Sequence, residues 1–113
     1  TVWLIFRRGR AALRRRPEKG LLAGLWEYPN EIGDAMPADW GIEAESDTFG
    51  GTAKHIFTHI EWHLTVRVVR AAGEELPPGW VWADGEELRT RYAVPGAFDG
   101  VSHVVERELK KGD

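Results

Sequence analysis

The sequence predicts a mixed α/β domain with its strands first and a helix last, and three observations carry that expectation. Val2-Trp3-Leu4-Ile5-Phe6 is a short, continuous, bulky apolar run, the pattern of a strand covered on both faces near the middle of a sheet. Ile60, Trp62, Leu64, Val66 and Val68 alternate with Glu61, His63, Thr65 and Arg67, which places the even positions on the core face of a second strand. Phe98, Val101, Val105 and Leu109 recur at helical spacing after Pro95-Gly96 and before Lys110, Lys111 and Gly112. The basic pair and the glycine suit the negative end and the C-cap of a final helix.

The remaining elements follow in order. Arg8-Gly9-Arg10 offers a tight turn, because Gly9 takes positive φ without a steric penalty, and Ala11 to Arg16 returns as the second arm of a basic hairpin. Trp26-Glu27-Tyr28 alternates as a short strand that ends where Pro29 removes a ladder donor. No Lys or Arg occurs from Pro29 to Gly51, where Gly, Pro, Asp and Glu are frequent; this predicts loop with one helical turn near Trp40. Thr52 to Ile56 pairs with the alternating strand, leaving Phe57-Thr58-His59 at the tip. Trp80 to Trp82 is a short strand, and Asp84 with Glu87 forms a capping arrangement for a brief helix.

A chain of 113 residues fits one domain, spanning residues 1–113, with a single core. At 42% apolar and 29% charged residues it is globular and not a disordered tail. The absence of cysteine excludes disulfides, thiolate zinc sites, an iron–sulfur cluster within this chain and cysteine nucleophiles, and a reducing, cytoplasmic compartment is expected. The longest apolar run is far below the roughly 18 residues of a membrane span, so no membrane partner is expected. The sequence opens at Thr1 without Met, as expected of a domain excised from a longer polypeptide.

The net charge of −3 conceals a split: residues 1–19 carry seven cations against Glu18, giving +6, and residues 20–113 carry eight against seventeen acids, giving −9. Two readings of the basic stretch stand. Arg14, Arg15 and Arg16 are candidate phosphate contacts, or the hairpin is simply a solvated charged surface. His55, His59 and His63 are spaced by four, which on a helix would align metal ligands. On strands, adjacent members lie roughly 13 Å apart, too far for one ion, so no metal site is expected, and His63 and His103 are expected at the surface. Phe57, Thr58 and His59 at a hairpin tip admit two readings: a wedge and reader for a base step, or a Phe tucked inward with its neighbours closing the turn. The six tryptophans, at positions 3, 26, 40, 62, 80 and 82, are expected mostly in the core rather than as stacking platforms.

Arg14-Arg15-Arg16-Pro17 followed by Gly24-Leu25-Trp26-Glu27-Tyr28-Pro29 resembles the region that leads into a Nudix box. That box needs an Arg-Glu and a Glu-Glu pair on a helix to collect Mg²⁺ around a pyrophosphate. After Pro29 no such run follows. Arg107-Glu108-Leu109-Lys110-Lys111 near the end of the chain puts lysines where carboxylates are required.

Arg16-Pro17-Glu18-Lys19-Gly20-Leu21-Leu22-Ala23-Gly24-Leu25-Trp26-Glu27-Tyr28-Pro29 and His55-Ile56-Phe57-Thr58-His59 together resemble the C-terminal domain of the MutY family, the adenine DNA glycosylases that act on adenine opposite 8-oxoguanine. Tyr92-Ala93-Val94-Pro95 is similar to the end of that domain. The resemblance implies a Nudix-like α+β fold, a mixed β-sheet flanked by helices without a functional Nudix box. It further implies that Phe57 intercalates beside the lesion, that the Thr58 hydroxyl reaches the base, and that His59 contacts the backbone or holds the loop. Thr58 stands where the family more often has Ser and keeps the hydroxyl. A hydroxyl that accepts from the N7 proton of 8-oxoguanine, where guanine offers only an acceptor, discriminates the two. The implied partners are duplex DNA containing 8-oxoguanine:A and an N-terminal catalytic domain that carries the excision residues and an iron–sulfur cluster. No catalytic residue and no cofactor is then expected in this chain. The alternatives are a divergent Nudix-type nucleotide pyrophosphohydrolase and a protein-interaction module.

Overall fold

The computed structural model describes residues 1–16, 25–31, 33, 35–56, 61–92, 94 and 96–112. Among them six strands form a mixed sheet, ordered β3-β2-β1-β5-β4, with β6 paired to β2. The strands are β1 (Val2–Arg7), β2 (Arg10–Arg15), β3 (Trp26–Glu27), β4 (Ala44–Ile56), β5 (Glu61–Ala71) and β6 (Val81–Asp84); the helices are α1 (Gly85–Thr90) and α2 (Ser102–Lys110).

β1 occupies the middle because it has apolar residues for two faces. Val2, Leu4, Phe6, Leu13, Leu64, Val66 and Val68 pack against Phe98, Val101, Val104 and Val105 on one side. Trp3, Ile5, Ala12, Val69 and Ala71 pack with Ile42 on the other, under Trp40, Leu76, Trp80 and Trp82. β1 runs parallel to β5, from Val2↔Val66 to Phe6↔Arg70, and antiparallel to β2 through Phe6↔Ala11. Beyond that pair β1 and β2 diverge. β3 fills the gap, pairing Arg14↔Glu27 and Arg15↔Trp26 with β2, while the bridge Val2↔Asn30 and a 2.7 Å bond from the Trp3 N–H to the Pro29 carbonyl secure the β1 side.

Two elements differ from expectation. The predicted loop from Pro29 to Gly51 contains the 3-10 turn Pro37–Trp40 near Trp40, but β4 already begins at Ala44. Its first half is an edge strand exposed on both faces, so selection for burial leaves no alternating apolar signal. Pairing with β5 dictates its structure, assisted by Arg67–Asp47 at 3.0 Å. The last helix starts as 3-10 geometry, Gly96–Val101, and becomes α-helical at Ser102. A Cβ at Gly100 would stand 3.1 Å from the Ala53 Cβ, so this tighter turn is pressed onto β4. The Asp84 cap is as expected: its carboxylate accepts from the Glu87 N–H at 2.8 Å, and the Glu87 carboxylate accepts from the Asp84 N–H at 3.1 Å. All six tryptophans belong to the two core clusters or pack against them.

α2 is tied to the sheet by a buried carboxylate. Glu108 accepts from Arg70 at 3.0 Å and Lys111 at 2.8 Å, with Arg107 at 3.3 Å. Burial pushes its pKa upward, but the hydrogen bonds from Lys111 and Arg107 and the charges of Lys111 and Arg70 outweigh burial and hold the carboxyl below its ordinary range. A lowered folded-state pKa contributes stability that is present above the unfolded pKa and lost as pH falls through the folded one. Glu108→Gln is therefore expected to be less stable than the parent at pH 7, with the gap narrowing as pH falls through the carboxylate range. Urea midpoints measured at stepped pH check this.

Gly50 sits at the β4 irregularity between Phe49 and Gly51. A Cβ there would meet Val68 Cγ2 at 2.8 Å and Val66 Cγ1 at 3.0 Å, both in the core. Gly50→Ala is expected to destabilise by about 1–3 kcal/mol through overpacking, read as a lower thermal midpoint.

Candidate nucleic-acid interface

The candidate interface lies at the end of the β4–β5 hairpin, whose register runs without a shift from Gly51↔Val66 to Ile56↔Glu61. Phe57, Thr58 and His59 lie outside the described residues. The stem that presents them does not. His55 pairs with Trp62 and Lys54 with His63, so His55 and His63 occupy neighbouring rungs but opposite faces. The register therefore separates His55 from His63, and among the described residues no three His, Asp or Glu side chains converge. His63 is solvent-facing, its Nε2 2.8 Å from Glu61, and His103 is exposed on α2. Ile56, the last paired residue before the tip, is 63% exposed.

Arg14 and Arg16, two of the three candidate phosphate contacts, are engaged within the domain. Both close on Glu27, a carboxylate only 2% exposed: Arg14 Nε donates to Oε2 and Arg16 to Oε1, each at 2.7 Å. Asn30 Nδ2 adds a third bond, to Oε1 at 2.8 Å, and Arg14 also donates to Glu31 at 2.9 Å and to the Asn30 carbonyl. Strand geometry explains the arrangement. Arg14 stands opposite Glu27 in the β2–β3 register, and Arg16 is two positions on, so both reach the same face. Arg15, of opposite parity, is the exposed member, with its guanidinium 5.9 Å from the Trp26 ring centre.

Glu27 is the residue that sequence reasoning passed over. The available signal was an acid between two aromatics on a short strand facing Arg-x-Arg. Its influence reaches the hairpin, because the Arg16 guanidinium lies 5.4 Å from the centre of the Trp62 ring, at the start of β5. Arg14 lies 5.8 Å from the rings of both Trp40 and Trp80. A groove of about 510 Å³ runs beside the tip-proximal end of the stem, lined by Arg16, Asn30, Glu31, Glu61, Trp62 and His63 among others. One pinned carboxylate therefore fixes β2, β3 and a cation under the hairpin stem.

A mixed sheet built around a doubly covered central strand, with a closing helix on one face, defines a Nudix-type α+β domain. The chain belongs to the NUDIX domain family, whose model matches residues 1–102. Its fold is similar to that of the C-terminal domain of mouse MUTYH, solved in complex with human PCNA, at 24% identity and a TM-score of 0.70, over 99% of this chain and 88% of that one. It is also similar to a MutT NUDIX hydrolase from Burkholderia pseudomallei, at 19% identity and a TM-score of 0.58 over 99% and 95% of the two chains. The E. coli ORF135 protein matches at 20% identity and a TM-score of 0.57, over 99% and 91%. These likenesses show the fold.

Removing the Glu27 charge leaves two guanidiniums without their carboxylate. Glu27→Leu is expected to destabilise by about 3–5 kcal/mol, the cost of breaking a buried pair from one side, whereas Glu27→Gln keeps an acceptor and costs less. Chemical denaturation of the two variants beside the parent provides the measurement.

Proposed function

We infer that this protein is the lesion-reading domain of a MutY-type adenine DNA glycosylase and meets the 8-oxoguanine strand of an 8-oxoguanine:A duplex through Phe57, Thr58 and His59. The observation that carries the reading is the β4–β5 stem. Its unbroken pairing up to Ile56↔Glu61 leaves residues 57–60 as the connection at the end of a long two-stranded arm, and those residues hold the family-like Phe-hydroxyl-His sequence. The likeness of the fold to the mouse MUTYH domain supports the same reading.

In this mechanism the domain recognises and does not cut. Phe57 enters the stack next to the lesion, the Thr58 oxygen accepts at the altered edge of the purine, and His59 contacts the backbone or holds the loop. The catalytic residues and the iron–sulfur cluster belong to an N-terminal domain of the same polypeptide, working in the cytoplasm on the nucleoid. Arg14, Arg15 and Arg16 are the proposed phosphate contacts, with the Arg14 and Arg16 guanidiniums also bonded to Glu27. A protein partner is a second reading, favoured by the outer edge of β4, which pairs with no further strand among the described residues, and by Phe49, which is 63% exposed on it; the mouse MUTYH domain is bound to PCNA in its crystal.

Joined to a MutY-type catalytic domain, Phe57→Ala with Thr58→Ala is expected to reduce the preference for 8-oxoguanine:A over G:A duplexes. The loss should be about 5- to 150-fold, the equivalent of roughly 1–3 kcal/mol for one good base contact. Single-turnover excision rates on the two duplexes measure it, and equal preference in parent and variant removes the assigned roles. Release of phosphate or pyrophosphate from nucleoside triphosphates with Mg²⁺ would instead favour the hydrolase alternative.

A further inference from the structure

The opposite end of the sheet holds a second concentration of positive charge. The β1–β2 turn, Arg8-Gly9, abuts the end of α2: a Cβ at Gly9 would stand 4.0 Å from the Gly112 Cα. Beside it a groove of about 300 Å³ is lined by Phe6, Arg7, Arg8, Glu45, Arg70 and Ala71. Three guanidiniums and one carboxylate line it, and Arg70 is also bonded to Glu108. With Arg107 and Lys111, which share Glu108 with Arg70, the cluster holds five cations, Arg7, Arg8, Arg70, Arg107 and Lys111, against the two carboxylates Glu45 and Glu108. In a protein of net charge −3, this is a local reversal of sign that focuses attraction for anions.

Two details mark the groove as more than a solvated patch. Arg7 donates from NH1 to the Ala71 carbonyl at 3.2 Å, yet its Nε is buried and has no acceptor among the described residues. The protein therefore offers the guanidinium fewer acceptors than it can use, a deficit that buried donors rarely carry. Arg8 is exposed, and among the described residues it is the one non-glycine with positive φ, at 49°. A two-residue turn with both φ positive favours Asn, Asp or Gly at this place, so the backbone strain falls on a residue whose side chain lines the groove.

We propose that this groove is an anion site for a phosphate group, held by Arg8 with Arg7 and Arg70 adding charge. Guanidiniums match phosphate oxygens in pairs of parallel hydrogen bonds; the Arg7 Nε is buried beyond the reach of a ligand, so the exposed Arg8 makes the principal contact and Arg7 and Arg70, which line the groove with it, add charge. The group is either a free phosphate, alone or on a small molecule, or the phosphodiester of a nucleic acid. The site is independent of the hairpin reading, since Glu61 and Arg70 stand roughly 30 Å apart along β5 at about 3.3 Å per residue.

The test follows the arginine Nε–H resonances of the parent, Arg8→Asn and Phe57→Ala during titration with inorganic phosphate, against sodium chloride of equal ionic strength. Saturable shifts of Arg7 and Arg8 are expected with phosphate only. Arg8→Asn should bind about tenfold more weakly, the loss of one charge-assisted contact, while its thermal midpoint holds or rises because Asn tolerates the turn. Opposite movements of binding and stability separate a ligand contact from a structural role. Phe57→Ala should titrate like the parent. In a second arm, a lesion-free DNA duplex that competes with phosphate at these resonances identifies the phosphodiester as the ligand, and failure to compete identifies the small phosphate. Shifts that do not saturate, that chloride reproduces, or that Arg8→Asn leaves unchanged overturn the site.

Discussion

A carboxylate withdrawn from water and closed between two guanidiniums sets the geometry on which the candidate interface depends. Glu27 has both oxygens engaged, by Arg14, Arg16 and Asn30, so the desolvation of its charge is met by three directed bonds rather than by one. The same contacts decide where aromatic groups lie. Arg14 reaches the Trp40 and Trp80 rings, and Arg16 reaches Trp62 on the other side of the strand divergence. Planar guanidinium can do this because its edge bonds carboxylate while its face meets a ring; lysine has no equivalent. β3 is only two residues long, too short to hold its place by ladder hydrogen bonds alone. Glu27 gives it a second anchor.

Linear charge counting missed this division of labour. The six arginines of residues 1–16 look like one basic hairpin, but the strands carry them to two ends of the sheet. Arg14 and Arg16 are drawn inward near the β4–β5 stem. Arg7, Arg8 and Arg10 gather at the far end, where Arg10 pairs with Glu74 at 3.1 Å and the other two line the Arg70 groove. A run of like charge along a chain says little about a surface until strand parity and direction are known.

What was legible in the sequence was whatever burial had written into a period. Val2–Phe6 lies between two cores and reads as an unbroken apolar run; Leu64, Val66 and Val68 face one core and read as alternation. The Asp84–Glu87 cap was legible because the reciprocal bonds demand those residue types at that spacing. The first half of β4 was not, since Glu45, Ser46 and Asp47 are exposed and owe their strand geometry to a partner remote in sequence. The start of α2 was misplaced for a related reason: the 3-10 geometry answers to contact with Ala53, which no local pattern records. Glu27 was hidden because its partners lie across a register that must be known before the pairing is visible. His55 and His63 show the converse, a regular spacing that the same register separates onto two faces.

The stem also bears on how a four-residue connection could read a base. Affinity drawn from a few side chains is easily lost to the entropy of ordering them. Here the arm is ordered beforehand: β5 is paired with β4 up to Glu61 and with β1 from Val66 to Arg70, and near the tip Trp62 meets Phe98 at 5.9 Å between ring centres as well as the Arg16 cation. The entropic cost of a defined approach angle has therefore been met in folding for the paired stem, from Gly51↔Val66 to Ile56↔Glu61. A reader assembled this way gains selectivity from the position of its two ends, and Glu27, distant in sequence from the connection, helps fix one of them.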